Sequence, residues 1–375
     1  MTTKTTTVSQ TQAPSSRVLG FDLARGFAVF FMIIIHVLNF YGSPEVHEGY
    51  YGATVKFLLG WPAASLFIFL MGVFVAFSKQ GNLTTQLKRA AALFALGYLL
   101  NLFRSTIPTW LSIQFGFVTY EQLGPHTPIN SLFVVDILQC AGLAYGICAI
   151  VRHYFSNAKV WLVLAVVVAF ISPLLWDVKT GIGFVDQVLK IFVGNKSHGA
   201  LFPLFPWLAY PLAGMAFGYW FKSQADRNKA FKQTLLIGIV TLVAGIAICL
   251  TNPEYHIVDN MRSGPGLIVG LSGLVLVFLC LFQWLTMHFG QSKLFSLLYG
   301  WSQNITTIYC IHWLIIGWCL MIFGALQMSL TSLIIWTFAV VVLSDIVCRI
   351  WLKINAKSAK KLAIQSNNHG SLSTS

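Results

Sequence analysis

The sequence predicts an all-α, polytopic integral membrane protein of about 10 transmembrane helices, possibly 11, with both termini in the cytoplasm. Two observations carry the fold class: 57% of the 375 residues are hydrophobic and only 9% are charged, and the apolar residues recur in runs of about 20 separated by short polar connectors. Soluble domains carry roughly a quarter charged residues, so this chain cannot cover itself for water. In lipid a helix satisfies its own backbone groups, which makes each long apolar run a span. Charge placement supplies the orientation. Most of the 24 Lys and Arg fall in alternate connectors and both tails, most of the 11 acidic residues in the remaining connectors, and this is the positive-inside pattern. The net charge of +13 is therefore matched to anionic lipid headgroups; no nucleic-acid partner is implied.

Residues 1–16 are polar and Thr-rich with no apolar h-region, so no signal peptide precedes the first span. That segment and 354–375 are expected to be disordered cytoplasmic tails around a single transmembrane domain, 17–353. Span 1 covers about Val18 to Phe40, and the loop 41–55 lies outside. Span 2, about Lys56 to Ser78, contains small residues that permit close helix packing. It returns to Lys79, Lys88 and Arg89 inside. Span 3 ends near Phe103, and the Pro- and Gly-containing segment 104–130 reads as a long external loop. Span 4, about Ser131 to Val151, begins with the polar VVDILQC. Span 5 runs from Val160 to Leu175 and leads to a second external loop, 176–202, with Asp177, Lys196 and His198. Span 6, about Pro203 to Phe221, holds three prolines in its first half and is kinked or entered by loop at its outer end. Span 7 ends near Leu250, before an external segment with Glu254, His256, Asp259 and Arg262. Span 8 runs from Pro265 to about Thr286. KLFSLLYGWSQN is interfacial, and spans 9 (Ser302 to Phe323) and 10 (Leu330 to Ile350) complete the count.

Chemistry must occur among these helices, because no water-soluble domain, phosphate loop or metal-binding motif is present. Span 1 carries ionisable groups at two depths. Asp22 and Arg25, three apart, share a helical face near the cytoplasmic end, either as a local ion pair or as an anion site in which Arg25 receives phosphate or carboxylate and Gly26 allows close approach. His36 lies about 16 Å further along the helix, roughly half the hydrocarbon thickness. Imidazole can take a proton from a hydroxyl or amine and return it to a leaving group near neutral pH; a packing role is the alternative. His47, between Glu45 and Glu48, is either a second candidate base or a solvated loop residue. Asp136 and Gln139 face one direction, as do Asn101 and Arg104. Asn304 and His312 lie on span 9, while Asp345 and Arg349, four apart, read as a structural pair. Ionisable groups in a span are costly in lipid, so Asp136 and His312 are expected to face a cavity. All seven cysteines fall in spans and read as small buried residues. No metal is expected.

The run FDLARGFAVFFMIIIH at 21–36 resembles the opening of the transmembrane acyltransferases related to heparan-alpha-glucosaminide N-acetyltransferase and its bacterial relatives, where an LDxxRG-type motif starts the first shared span. WPAASLFIFLMG at 61–72, DILQCAGLAY at 136–145, LFPLFPWLAYPLAGMAFG at 201–218 and NITTIYCIHW at 304–313 extend the resemblance in order. The resemblance implies acyl transfer from a cytoplasmic acetyl-CoA, or another acyl-CoA, to a sugar, glycan or other hydroxyl or amine acceptor at the external side of a bacterial inner membrane. It carries Asp22, Arg25 and Gly26 onto the opening motif, with Phe21 in place of the usual leucine. His36 matches a first-span histidine of the broader superfamily, and His47 is nearer the loop histidine of the glucosaminide enzyme. Catalysis is therefore expected from His36 or His47 with Asp22, His312 and Asn304. Donor binding is expected from Arg25, Gly26, Gln139, Lys88 and Arg89. Asn304, His312 or Gln139 are the candidates for oxyanion stabilisation. The large luminal domain of the animal enzyme is missing, which argues against heparan itself. A homodimer is compatible with this reading. The rival is a transporter or exporter whose intramembrane polar groups bind a small solute.

Overall fold

The computed structural model describes residues 18–176, 178–194, 199–257 and 262–372, with side chains as far as 358. The tail 1–16 and the loop residues Asp177, Lys196, His198 and Asp259 lie outside these. Twelve principal helices follow in order: α1 (Leu19–Tyr41), α2 (Tyr50–Phe77), α3 (Leu83–Gln114), α4 (Ile137–Tyr154), α5 (Ala158–Leu175), α6 (Gly183–Val193), α7 (Ala209–Ser223), α8 (Arg227–Thr251), α9 (Pro265–Phe289), α10 (Lys293–Gln303), α11 (Ile305–Phe323) and α12 (Leu330–Leu372). Among the described residues, 8 helices are long and apolar enough to cross a membrane: α1, α2, α3, α5, α8, α9, α11 and the Leu330–Ser358 part of α12. The protein is thus an all-α, multi-span membrane protein. Helices α4 and α7, of 18 and 15 residues, belong to the same bundle without being among the eight.

Helix α1 occupies the centre, packed against α2, α9, α10, α11 and α12. Phe21, Leu23, Ala24, Ala28, Val29, Ile33, Val37 and Leu38 are wholly enclosed, so α1 is surrounded rather than lipid-facing on most of its circumference. It stops at Gly42, whose extended backbone carries its N–H to Leu38 O at 2.9 Å. Met328 then ties that end of α1 to the start of α12, donating to Tyr41 O at 2.7 Å and accepting from Ser43 N at 3.0 Å. At the opposite end, which carries Lys79, Arg152, Lys222 and Arg227, Arg152 reaches from α4 to Ser78 O at 2.5 Å and Ser78 Oγ at 2.9 Å. Here Trp301 Nε1 of α10 donates to Asp345 Oδ1 of α12 at 2.9 Å, while Asp345 also receives Arg349 Nε at 2.6 Å. The pairing of Asp345 with Arg349 expected from their spacing is present.

The segment after Phe103 is not a loop at first. Helix α3 continues to Gln114 through a π-helical turn, Leu102–Thr106. Pro108 has no N–H to give and its ring crowds the carbonyl four residues back. The wider π turn absorbs that conflict without ending the helix. Helix α2 does the same with a π turn at Lys56–Gly60, immediately before Trp61 and Pro62. The prolines at 203–211 behave as their positions predict: Leu204–Trp207 is a separate turn, and α7 starts only at Ala209. The KLFSLLYGWSQN stretch forms α10, 11 residues long. The last helix runs past position 353 without a break.

Candidate active site

The two π turns pack on the two helices that carry intramembrane histidines: the α2 turn against α1, and the α3 turn against α11. Between them His36 of α1 and His312 of α11 face each other with parallel rings, 2° apart in plane, and His36 Nδ1 lies 3.1 Å from His312 Nε2. His312 is fully enclosed at 0% exposure, whereas His36 is only half-buried. The direction of the bond follows from the far side of His312. Its Nδ1 lies 3.2 Å from Ile308 O, and a carbonyl can only accept. In the neutral pair His312 Nδ1 therefore carries hydrogen, its Nε2 holds a lone pair, and His36 Nδ1 donates to it. His36 Nε2 is left as an unprotonated lone pair on the half-buried ring.

Trp313 closes one side of this pair. Its indole is 4.1 Å from the His36 ring and lies under the Arg104 guanidinium, 3.9 Å from Cζ to the ring centroid. Arg104, in the π turn of α3, is paired with Asp136 and donates from Nη2 to Asn101 Oδ1 at 3.0 Å. Asn101 in turn holds Leu132 O at 3.1 Å and Val134 O at 2.7 Å. Asp136 caps α4 through Ile137 N at 2.7 Å. Low dielectric makes an isolated charge here expensive, and mutual pairing offsets only part of that cost.

Around this centre the candidates from sequence are sorted by geometry. His36 and His312 come together. Gln139 does not face the pair: its Oε1 accepts Asp136 N and its Nε2 donates to Val134 O, both at 3.2 Å. Both ends of its amide are engaged in ending α4, so it offers neither donor contacts nor an oxyanion site. Asn304 stands at the junction of α10 and α11 and donates to Gly300 O at 3.0 Å. Eight residues of helix put it about 12 Å from His312, too far to serve the histidines. Asp22 is likewise about 20 Å along α1 from His36 and belongs to the other end of the site.

At that end Asp22 and Arg25 form an ion pair at 3.4 Å, the first of the two alternatives their spacing left open, and a third residue that the spacing did not reveal joins them. Ser302 of α10 donates to Asp22 Oδ1 and accepts from Arg25 Nε, both at 2.9 Å. Arg25 also stacks on Phe74 at 4.0 Å, yet 21% of its side chain remains exposed. A reachable guanidinium braced by neighbours suits a phosphate or carboxylate group. Gly26 does not open toward a ligand: a Cβ there would stand 2.4 Å from Leu298 O, so its role is the close seating of α10 on α1. Lys88 and Arg89 are exposed near the start of α3, which packs chiefly on α4.

His47 lies on a short helix, Pro44–Glu48, beyond the end of α1. Its Cδ2 reaches the space beside Gly42, about 9 Å along α1 from His36. Burial and the nearby Lys56 cation hold its imidazole below the usual range, partly offset by the Leu38 carbonyl. Among the described residues no three His, Cys, Asp or Glu side chains gather as metal ligands.

Sequence comparison bears on what these groups do. A comparison with curated proteins finds no match. A family profile described as "Heparan-alpha-glucosaminide N-acetyltransferase, catalytic" matches residues 17–248, which include His36, His47, Arg25, Arg104 and Asp136. Helix α11, with His312 and Trp313, follows the matched stretch and folds back onto α1. With the match covering more than half of the chain, the protein belongs to the heparan-alpha-glucosaminide N-acetyltransferase catalytic family and is a membrane-embedded acyltransferase.

Proposed function

We propose that the enzyme moves an acetyl or related acyl group from acyl-CoA, entering at the basic cytoplasmic end, to a hydroxyl or amine of a sugar or glycan presented at the external end. The observation that carries this reading is the His36–His312 hydrogen bond anchored on Ile308 O, which leaves His36 Nε2 unprotonated. His36 would take the acceptor's proton as that oxygen or nitrogen attacks the thioester carbonyl. Collapse of the tetrahedral species expels the thiolate, and His36 returns the proton to sulfur. His312 Nε2 keeps hold of His36 Nδ1–H throughout, so the imidazolium that forms is oriented and stabilised. General acid–base groups of this kind typically contribute about 10²–10⁴-fold in rate.

Arg25, braced by Ser302 and Asp22, would receive the charged end of the donor. It is separated from His36 by about 16 Å of helix, a gap suited to an extended pantetheine arm. His47, held toward its neutral form outside the spans, is the competing base if the Pro44–Glu48 helix turns inward. Ten crossings result if α4 and α7 complete the bundle, and an even number places both termini on the side where Lys and Arg concentrate. That orientation suits a bacterial inner membrane, with 17–353 as the catalytic unit.

The test is turnover by purified protein reconstituted in vesicles, with acetyl-CoA and a panel of sugars and amino sugars. CoA release that depends on the acceptor is expected. Folded protein that releases no CoA with any acceptor, while exchanging a solute unchanged across the vesicle, would overturn the reading in favour of transport.

A further inference from the structure

The Arg104 cluster has no part in the proton transfer described above, yet it is built at considerable cost. An arginine with 7% exposure sits at membrane depth in a π turn. Two of its features are independent of each other. The first is the clamped guanidinium: Nη2 is shared between Asp136 and Asn101 Oδ1, and Cζ lies over the Trp313 ring, 3.9 Å from its centroid. Nη1 is buried and finds no hydrogen-bond partner among the described residues. Asp136 and Asn101 thus hold the guanidinium over the indole of Trp313. The second is the backbone. Pro108 cannot donate to the carbonyl four residues back, which is that of Arg104. A Cβ on Gly317 would stand 1.7 Å from this Arg104 oxygen. Helix α11 is therefore seated on the π turn one turn beyond Trp313, at the residue whose side chain stacks on Trp313.

We infer that Arg104 is a positioning residue for the reaction: with Asp136 behind it, it pins Trp313 against His36 and so fixes the plane in which the ring presents Nε2. Trp313 is the transmitting element, in contact with Arg104 on one hand and with His36 at 4.1 Å on the other. A simple stabilising ion pair would not need the planar fork or the shared indole. Lysine, a compact point charge, can keep the Asp136 pairing but cannot reproduce both. This inference rests on His36 being the base, and its test separates the two.

Arg104→Lys is compared with wild type, Trp313→Phe and His36→Asn in vesicles, with two readouts. Turnover reports the chemistry. The rate at which diethyl pyrocarbonate modifies the His36 peptide, followed by mass spectrometry across pH 5–8, reports the ring's geometry without requiring turnover. For Arg104→Lys, kcat should fall at least tenfold with the donor KM within threefold, and the His36 modification profile should shift. Trp313→Phe, which keeps a ring in place, should show a weaker version of both effects, and the double variant Arg104→Lys/Trp313→Phe should be no worse than the more severe single. Turnover and modification within twofold of wild type in folded Arg104→Lys would overturn the inference. Loss of turnover with an unchanged modification profile would also overturn it, since Arg104 would then act by another route. Should His36→Asn stay active while Arg104→Lys still alters His36 modification, the base assignment fails and the positioning of the ring stands.

Discussion

His36 and His312 are 276 positions apart in the chain and 3.1 Å apart in the fold. One belongs to the first helix and the other to the second-last, and Ile308 O fixes the hydrogen-bond direction between them. This polar pair favours a single register of its two helices, because slipping either would leave the enclosed His312 Nε2 without its partner.

If His312 orients His36, His312→Ala should lower kcat by about 10–100-fold, by analogy with the loss on removing the group that orients a metal-ligating histidine. The KM for acyl-CoA should hardly move. Steady-state kinetics at saturating acceptor decides this; a proportional rise in KM at constant kcat would assign His312 to binding instead.

At the basic end, Arg25→Gln should raise the donor KM by about 10–100-fold, corresponding to hydrogen bonds to a charged group. Ser302→Ala removes only the brace between Asp22 and Arg25, and a smaller rise of a few-fold is expected. Titration of CoA binding by calorimetry checks both without requiring an acceptor.

Gly26→Ala and Gly317→Ala test helix seating. The added methyl would meet Leu298 O at 2.4 Å and Arg104 O at 1.7 Å. Backbone is in the way in both cases, so each substitution should destabilise by about 1–3 kcal/mol, with Gly317→Ala the worse. Thermal unfolding in detergent measures the order. Gly317→Ala should also reduce turnover in whatever fraction remains folded, whereas Gly26→Ala should act on donor affinity.

Stability should fall on mild acidification through His256. Its Nδ1 accepts the N–H of Gly266 at 3.2 Å, and burial holds its imidazole below the usual range. The unfolded chain takes up a proton as pH falls through about 6.5, while the folded chain does so only at lower pH. Unfolded protein therefore binds more protons in that window, and stability declines as pH drops through it. His256→Gln, able to accept a hydrogen bond but not to titrate, should flatten the dependence of the unfolding temperature between pH 7 and pH 5.

Much of the architecture was legible because lipid leaves few options. Apolar run length and connector charge placed nearly every helix, and the spacings Asp22–Arg25 and Asp345–Arg349 gave real pairs. The continuation of α3 to Gln114 was hidden because Gly116, Gly124, Pro125 and Pro128 make the whole of 104–130 read as loop, and nothing local announces that a π turn will accommodate Pro108. Gln139 and Asn304 were plausible polar groups whose roles are decided by helix ends: one completes the Asp136 cap, the other sits at the α10–α11 junction. Ser302 and Trp313 were missed since neither residue type is unusual in a span. Only the return of α10 and α11 onto α1 gives Ser302 its place between Asp22 and Arg25, and Trp313 its place between His36 and Arg104. Arg104 and Asn101 carried a usable signal, an arginine and an amide one turn apart at the end of an apolar run. Their partner Asp136, 32 positions on, could not be matched to them by spacing.

The central claim is that His36, and not His47, removes the acceptor's proton. Acceptor-dependent CoA release by wild type, His36→Gln and His47→Gln in the same vesicles, with donor binding checked in each, tests it most directly. His36→Gln should lose about 10²–10⁴-fold in kcat while binding donor normally, and His47→Gln should retain most of the wild-type rate. Full turnover by His36→Gln, with loss confined to His47→Gln, would contradict the account and move the base to the helix beyond α1.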